Sequence, residues 1–273
     1  MLVGTPSAEL EKAAADEAEG LAAAEEVDDD FDIVVSNSTG GGVPLHEDPS
    51  SIALVNARAL SYQPRMIFTP RPGKRLLVLD LDYTIYDHRS TAEDAMQLAR
   101  PHLHEFLERA YVHYDILIWS ATSMRWIVLK LTSMGLLSSL ERFRLLALFD
   151  HSAMCTVNAA SVGPIDVKPL AVVWARFPEY SARNTIMVDD LAKNCLMNPQ
   201  SGLRIRPCRN LTNPVTRDAD AELKKLACYL EILATTVDDF TTLGGHRKWE
   251  SLVSNGNGNA PADALAGSDM RDR

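Results

Sequence analysis

The stretch LLVLDLDYTIYDHRS, residues 76–90, decides the fold. Four apolar residues run straight into two aspartates, Asp80 and Asp82, set one residue apart. An unbroken apolar run of this length predicts a strand over 76–81 that is buried on both faces, the habit of parallel sheets covered by helices. Its carboxyl end then presents two negative charges at one point.

Two more stretches share this design. DILIWS, residues 115–120, and NTIMVDD, residues 184–190, are apolar runs that end in polar residues. Helical patterns fill the space between them and beyond: 101–111 with Pro101 at the first helical position, 124–134 closed by Gly135, then 169–177 and 219–234. Shorter β-like pieces, FRLLALFD and MCTVN, lead up to Ser161. Strands alternating with helices predict a parallel sheet with helices on both faces, and no internal repeat interrupts the pattern.

In open α/β sheets, ligands bind outside the carboxyl ends of the strands. Three strands therefore deliver Asp80 and Asp82, Ser120, and Asp189 and Asp190 to one rim. Clustered carboxylates without a cation repel one another and raise each other's pKa, whereas a hard cation such as Mg²⁺ prefers oxygen ligands. With Lys168 nearby to supply positive charge at the start of the 169–177 helix, the rim suits phosphoryl transfer, where catalysis is mostly positioning and charge neutralisation. An aspartate can accept the phosphoryl group, and a second carboxyl can protonate the leaving alkoxide and then activate water. Thr84 is expected to tie the turn through its hydroxyl. Each piece has a plainer reading: Asp189 and Asp190 as helix caps, Ser120 as the start of a turn, Lys168 as a surface lysine. The conjunction, in order and at element ends, favours the functional one.

Composition narrows the class. Residues 1–32 hold eleven of the 37 acidic residues and one of the 27 basic ones, leaving 26 of each for the rest. The net charge of −10 thus belongs to a tail, and the neutral remainder, lacking a basic stripe, argues against nucleic-acid binding. No apolar run approaches membrane-spanning length, and the start lacks the pattern of a secretory signal. Four cysteines without C-x-x-C pairing suit free thiols in a reducing compartment. Residues 1–55 read as a disordered acidic linker with a short helix possible over 10–24, residues 73–250 as the catalytic domain, and residues 251–273 as a disordered tail.

DLDYT, WSAT, DVKPL and VDD, in this order, resemble the four motifs of the haloacid dehalogenase superfamily. Together with RPHLHEFL and YDILIWSAT, the longer strings resemble its FCP/SCP-type protein phosphatases across roughly residues 73–249. The resemblance implies a Rossmann-like α/β parallel sheet with a small β insertion and no large cap domain. It implies a Mg²⁺-dependent phosphoprotein phosphatase acting through an aspartyl-phosphate. Asp80 is then the nucleophile and Asp82 the general acid/base; Ser120 and Lys168 bind the phosphoryl group. Asp80, Asp82 (through its carbonyl), Asp189 and Asp190 hold the metal. His88 and Arg89 belong to the resembling string without an evident mechanism.

One branch of the family that these strings resemble carries a ubiquitin-like domain ahead of the phosphatase. Residues 1–70 read as too acidic and Gly/Ser-rich to build one, so docking on the proteasome through such a domain is not expected of them. The expected partner is a phosphorylated protein, with proteasome subunits and the RNA polymerase II C-terminal domain as candidates. The expected state is a monomer in the nucleus or nucleocytoplasm. Only 37 residues separate Asp82 from Ser120, too few for a lid beside the elements they must form, which favours protein over small-molecule substrates. A small-molecule phosphatase and a non-catalytic binding module are the alternatives; intact motifs speak against the latter.

Overall fold

The computed structural model describes residues 37–138, 141–246 and 249–254. Helix α1 (Pro49–Ser61) begins where the linker was expected to continue. Asp48 caps it by accepting from Ser51 N at 2.8 Å, and Pro49 stands at the first helical position. Its Val55 and Ala59 are buried, and so is Leu45 ahead of it. The folded part thus reaches back past residue 55, because a capped amphipathic helix hides inside a Gly/Ser-rich composition. Residues 1–36 of the expected linker, its 10–24 helix included, and residues 255–273 of the expected tail lie outside the described residues.

The short strand β1 (Arg65–Met66) leads to β2 (Arg75–Leu79), then α2 (Leu103–His113), β3 (Tyr114–Trp119) and α3 (Met124–Ser133). Pro101 stands two residues before α2 rather than at its first position, because His102 adopts left-handed backbone (φ 66°) and delays the helix. α3 ends as expected: Gly135 has φ 70°, and Leu136 N reaches back to Leu131 O at 2.8 Å. β4 (Leu145–Phe149) follows, then a hairpin of β5 (Cys155–Ala159) and β6 (Gly163–Val167), the small β insertion. The chain continues through the single turn α4 (Ala171–Trp174), β7 (Thr185–Asp189), β8 (Gly202–Arg204), α5 (Pro214–Ala219), α6 (Glu222–Thr236) and α7 (Trp249–Ser254). α7 begins before the expected tail boundary at 251, and its Trp249 is buried.

The main sheet has the order β1-β4-β3-β2-β7-β8; all neighbours are parallel except the edge pair β1–β4. The period-two alternation of a strand sorts its side chains between two cores. Leu77 and Leu79 face α2, α3 and α6, meeting Phe106, Leu131 and Leu230. Leu76 and Val78 face α1 and α4, meeting Ala59, Val172 and Phe177. Both faces are covered, so the central strands are apolar throughout, as the opening stretch predicts. The hairpin packs its Val157 and Val167 against α1 through Val55. The residues between Asp82 and Ser120 form α2 and β3, leaving no separate cap domain among the described residues. Among them no helix is long and apolar enough to cross a membrane.

Placing a charge at Val55 tests whether α1 belongs to the folded unit. Val55→Asp should lower stability by about 2 kcal/mol or more, the usual consequence of an unpaired charge in a packed contact. Thermal unfolding followed by circular dichroism checks this; a dispensable linker would leave Tm unchanged.

Candidate active site

Parallel register brings the aspartates together. Leu79 of β2 pairs with Val188 of β7, and Asp80 N donates to Val188 O at 3.0 Å, so Asp80 and Asp189 leave the sheet at one level. Asp80, Asp189 and Asp190 are all buried and place one oxygen each within 4.8 Å of the others. Lys168 comes from the end of the hairpin insertion. It directly follows β6 rather than starting a helix, since the single turn α4 begins only at Ala171. Its Nζ lies 2.5 Å from Asp80 Oδ1 and 2.7 Å from Asp189 Oδ2, with the side chain 1% exposed. Asn194 completes the frame by donating Nδ2 to both oxygens of Asp189 at 2.9 Å.

The charges do not balance. One ammonium faces three carboxylates, and two formal negative charges are left over in a buried space. Burial, followed by the Asp189 charge, pushes Asp190 up to about 7. Burial also lifts Asp80 well above the ordinary carboxylate range, against the pull of Lys168. Burial works against the charge of Lys168, yet Asp189 and Asp80 hold its pKa above the ordinary lysine value. A hard divalent cation matches both the oxygen donors and the missing charge. Asp80, Asp189 and Asp190 are the side chains that fit one. The Asp82 side chain is not among them.

Asp82 belongs to a second cluster. Its Oδ2 accepts from Ser120 Oγ at 3.2 Å and its Oδ1 from Lys130 Nζ at 2.5 Å, with His88 Nδ1 3.6 Å from the same Oδ1. Ser120 is fully buried and also meets Thr122 Oγ1 at 2.9 Å and accepts from Thr122 N at 3.1 Å. The plain turn role of Ser120 and its place at the site therefore coexist.

The turn between the clusters is built from backbone. Leu81 O accepts from Ile85 N and Tyr86 N, both at 3.0 Å. Tyr83 has φ 58°, a left-handed conformation that costs a non-glycine residue on the order of 1 kcal/mol or more. It is held by Tyr83 N donating to Tyr86 O at 2.7 Å and by Cys208 N donating to Tyr83 O at 2.6 Å. The Thr84 hydroxyl does not tie the turn: it is buried without a hydrogen-bond partner, and Arg100 instead donates Nη1 to Thr84 O at 3.0 Å. Asp87 supplies a physical reason for the DHRS string. Fully buried, it accepts from Leu211 N at 2.7 Å and pins the loop after β8 against the turn that follows Asp82. The Arg209 guanidinium in that loop lies 5.0 Å from the centroid of the Tyr83 ring, whose edge meets His88.

All six expected side chains therefore lie at one rim, divided between two clusters. Sequence reading missed Lys130, Asn194 and Asp87. Lys130 left a trace, a charged residue between Ile127 and Leu131 on the buried side of α3. The other two left none beyond proximity to the motifs.

The model of the NLI interacting factor-like phosphatase family matches residues 75–241. The chain belongs to this family. It is accordingly a phosphatase, as the string resemblance implied. A Drosophila melanogaster protein named ubiquitin-like domain-containing CTD phosphatase 1 is 46% identical over 225 residues, covering 82% of this chain and 68% of the relative. The Homo sapiens protein of that name is 46% identical over 213 residues, covering 78% and 65%. An Arabidopsis thaliana ubiquitin-like domain-containing CTD phosphatase is 52% identical over 183 residues, covering 67% and 52%. The chain thus spans roughly half to two thirds of these three relatives' lengths. A solved structure of the fission yeast RNA polymerase II CTD phosphatase Fcp1 bound to beryllium fluoride matches with a TM-score of 0.41 and 13% identity, over 68% of this chain and 65% of that one.

The charge imbalance has a measurable consequence. Asp190 sits at about 7 in the fold against an ordinary 3.8, so its stability contribution is full below about pH 4 and is lost as pH rises through 7. In the presence of a chelator, Asp190→Asn should raise Tm at about pH 8, with the gain shrinking toward about pH 4. Mg²⁺ should raise the Tm of the wild type and fail to raise that of Asp189→Asn.

Proposed function

We propose that this protein is a Mg²⁺-dependent protein serine/threonine phosphatase that works through an aspartyl-phosphate on Asp80. The observation that carries the reading is the division of two neighbouring aspartates between different environments. Asp80 is bound to Lys168 inside the carboxylate trio, while Asp82 is bound to Ser120 and Lys130 outside it. Two carboxyls so close, with separate partners, are suited to separate roles.

In this reading an Asp80 oxygen attacks phosphorus, and the bond from phosphorus to the serine or threonine oxygen breaks. Asp82, as the acid, gives its proton to that leaving oxygen. The resulting Asp82 carboxylate then takes a proton from water, which attacks phosphorus and releases phosphate from Asp80. Lys168 and Ser120 orient the phosphoryl oxygens. Mg²⁺ bound by Asp80, Asp189 and Asp190, with the Asp82 carbonyl, would neutralise charge on the phosphoryl group.

A rim without a separate cap domain among the described residues supports a phosphorylated side chain on a protein as substrate. The relatives' names carry a CTD, and we take that domain as one candidate and proteasome subunits as another, with the nucleus as the place of action. Asp80→Asn and Asp82→Asn should each lower turnover of a phosphoserine peptide by about a hundredfold or more, measured as phosphate release. A rate within tenfold of wild type for either would remove the assignment. Higher kcat/KM for sugar phosphates than for phosphopeptides would overturn the substrate class. Asp82→Asn should retain phosphoproteins as a trap, and mass spectrometry of the captured species names the substrate.

A further inference from the structure

We propose that Lys130 is a positioning residue that holds the Asp82 carboxyl so that Oδ2 faces the leaving group. This rests on the reading of Asp82 as the general acid. Lys130 occupies the inner side of α3, 6% exposed, where an unpaired ammonium is costly. Its Nζ is 2.5 Å from Asp82 Oδ1 and 3.3 Å from His88 Nδ1, and it lies 5.2 Å from the centroid of the Tyr86 ring. The ammonium therefore has the Asp82 carboxylate as acceptor, a His88 ring nitrogen at hydrogen-bond distance and an aromatic neighbour, all from the 82–88 segment. Lys130 is fixed to Asp82 by geometry rather than by a chance surface encounter.

The consequence lies in the asymmetry of the carboxyl. Oδ1 is taken by Lys130 with His88 beside it, whereas Oδ2 faces Ser120. Ser120 is the residue assigned to the phosphoryl group, so Oδ2 is the oxygen on the substrate side. With Oδ1 held by the ammonium, Oδ2 is the oxygen turned toward the leaving group, and the proton passes through it to the ester oxygen as the phosphorus–oxygen bond breaks. Lys130 transfers no proton itself. It keeps the carboxyl from rotating, so that the acid meets the leaving oxygen in the right geometry.

This role predicts a dependence on the leaving group. A serine alkoxide needs protonation in the transition state, whereas 4-nitrophenolate leaves readily without it. The experiment measures kcat/KM, which reports formation of the aspartyl-phosphate, for a phosphoserine peptide and a series of aryl phosphates of graded leaving-group basicity. Enzymes compared are wild type, Lys130→Met, Lys130→Arg and Asp82→Asn, each checked for folding by circular dichroism. For Lys130→Met the loss on phosphoserine should exceed the loss on 4-nitrophenyl phosphate by about tenfold or more, and Lys130→Arg should recover most of it. An equal loss on every leaving group, or no rescue by arginine, overturns the proposal. Should Lys130→Met not fold, Lys130→Gln and Lys130→Arg carry the same comparison. Asp82→Asn separates the two layers. If it too loses equally on all substrates, the assignment of Asp82 as acid fails. If it shows leaving-group dependence and the Lys130 variants do not, only the role of Lys130 fails.

Discussion

The Lys168 ammonium, shared between Asp80 and Asp189, is the contact on which the rim depends. It joins two neighbouring parallel strands to the hairpin insertion through hydrogen bonds of 2.5 and 2.7 Å in a space closed to solvent. A buried charge is tolerable only when paired and hydrogen-bonded, so its partners hold the hairpin end against the sheet. The pairing is incomplete by design: three carboxylates exceed one lysine, and burial holds two of them above their ordinary pKa. Sites of this kind trade stability for chemistry.

Asp82 escapes that cluster by a turn of only a few residues. Ser120 and Lys130 hold its side chain apart from the trio, and left-handed backbone at Tyr83 follows directly, kept there because neighbouring amides and carbonyls over-determine it. The loop after β8 takes part, with Cys208 N on Tyr83 O and Leu211 N on Asp87. Two aspartates one residue apart thus acquire different neighbours, which is the physical requirement for giving them different tasks.

The elements that a sequence can reveal are those whose signal is local. The three apolar strands, the helices α2, α3 and α6, the Gly135 stop and the polar strand ends were all legible because each rests on periodicity, a terminal residue or an apolar run. Boundaries shifted where one backbone angle intervened, as at His102 before α2. Helix α1 was missed although Asp48 and Pro49 form a readable start, because the composition around them resembles a linker. The expected hydroxyl tie at Thr84 was wrong because the backbone had already filled that role.

By itself the sequence determined the class of fold and the rim to which the polar residues go. Those follow from strand burial and from the rule that strand ends face the ligand. Only the tertiary structure decided how those residues are partitioned. Lys130 lies 48 positions from Asp82, and Lys168 lies 88 from Asp80. Contacts of such separation are set by register, packing and the placement of the hairpin, none of which a local pattern encodes.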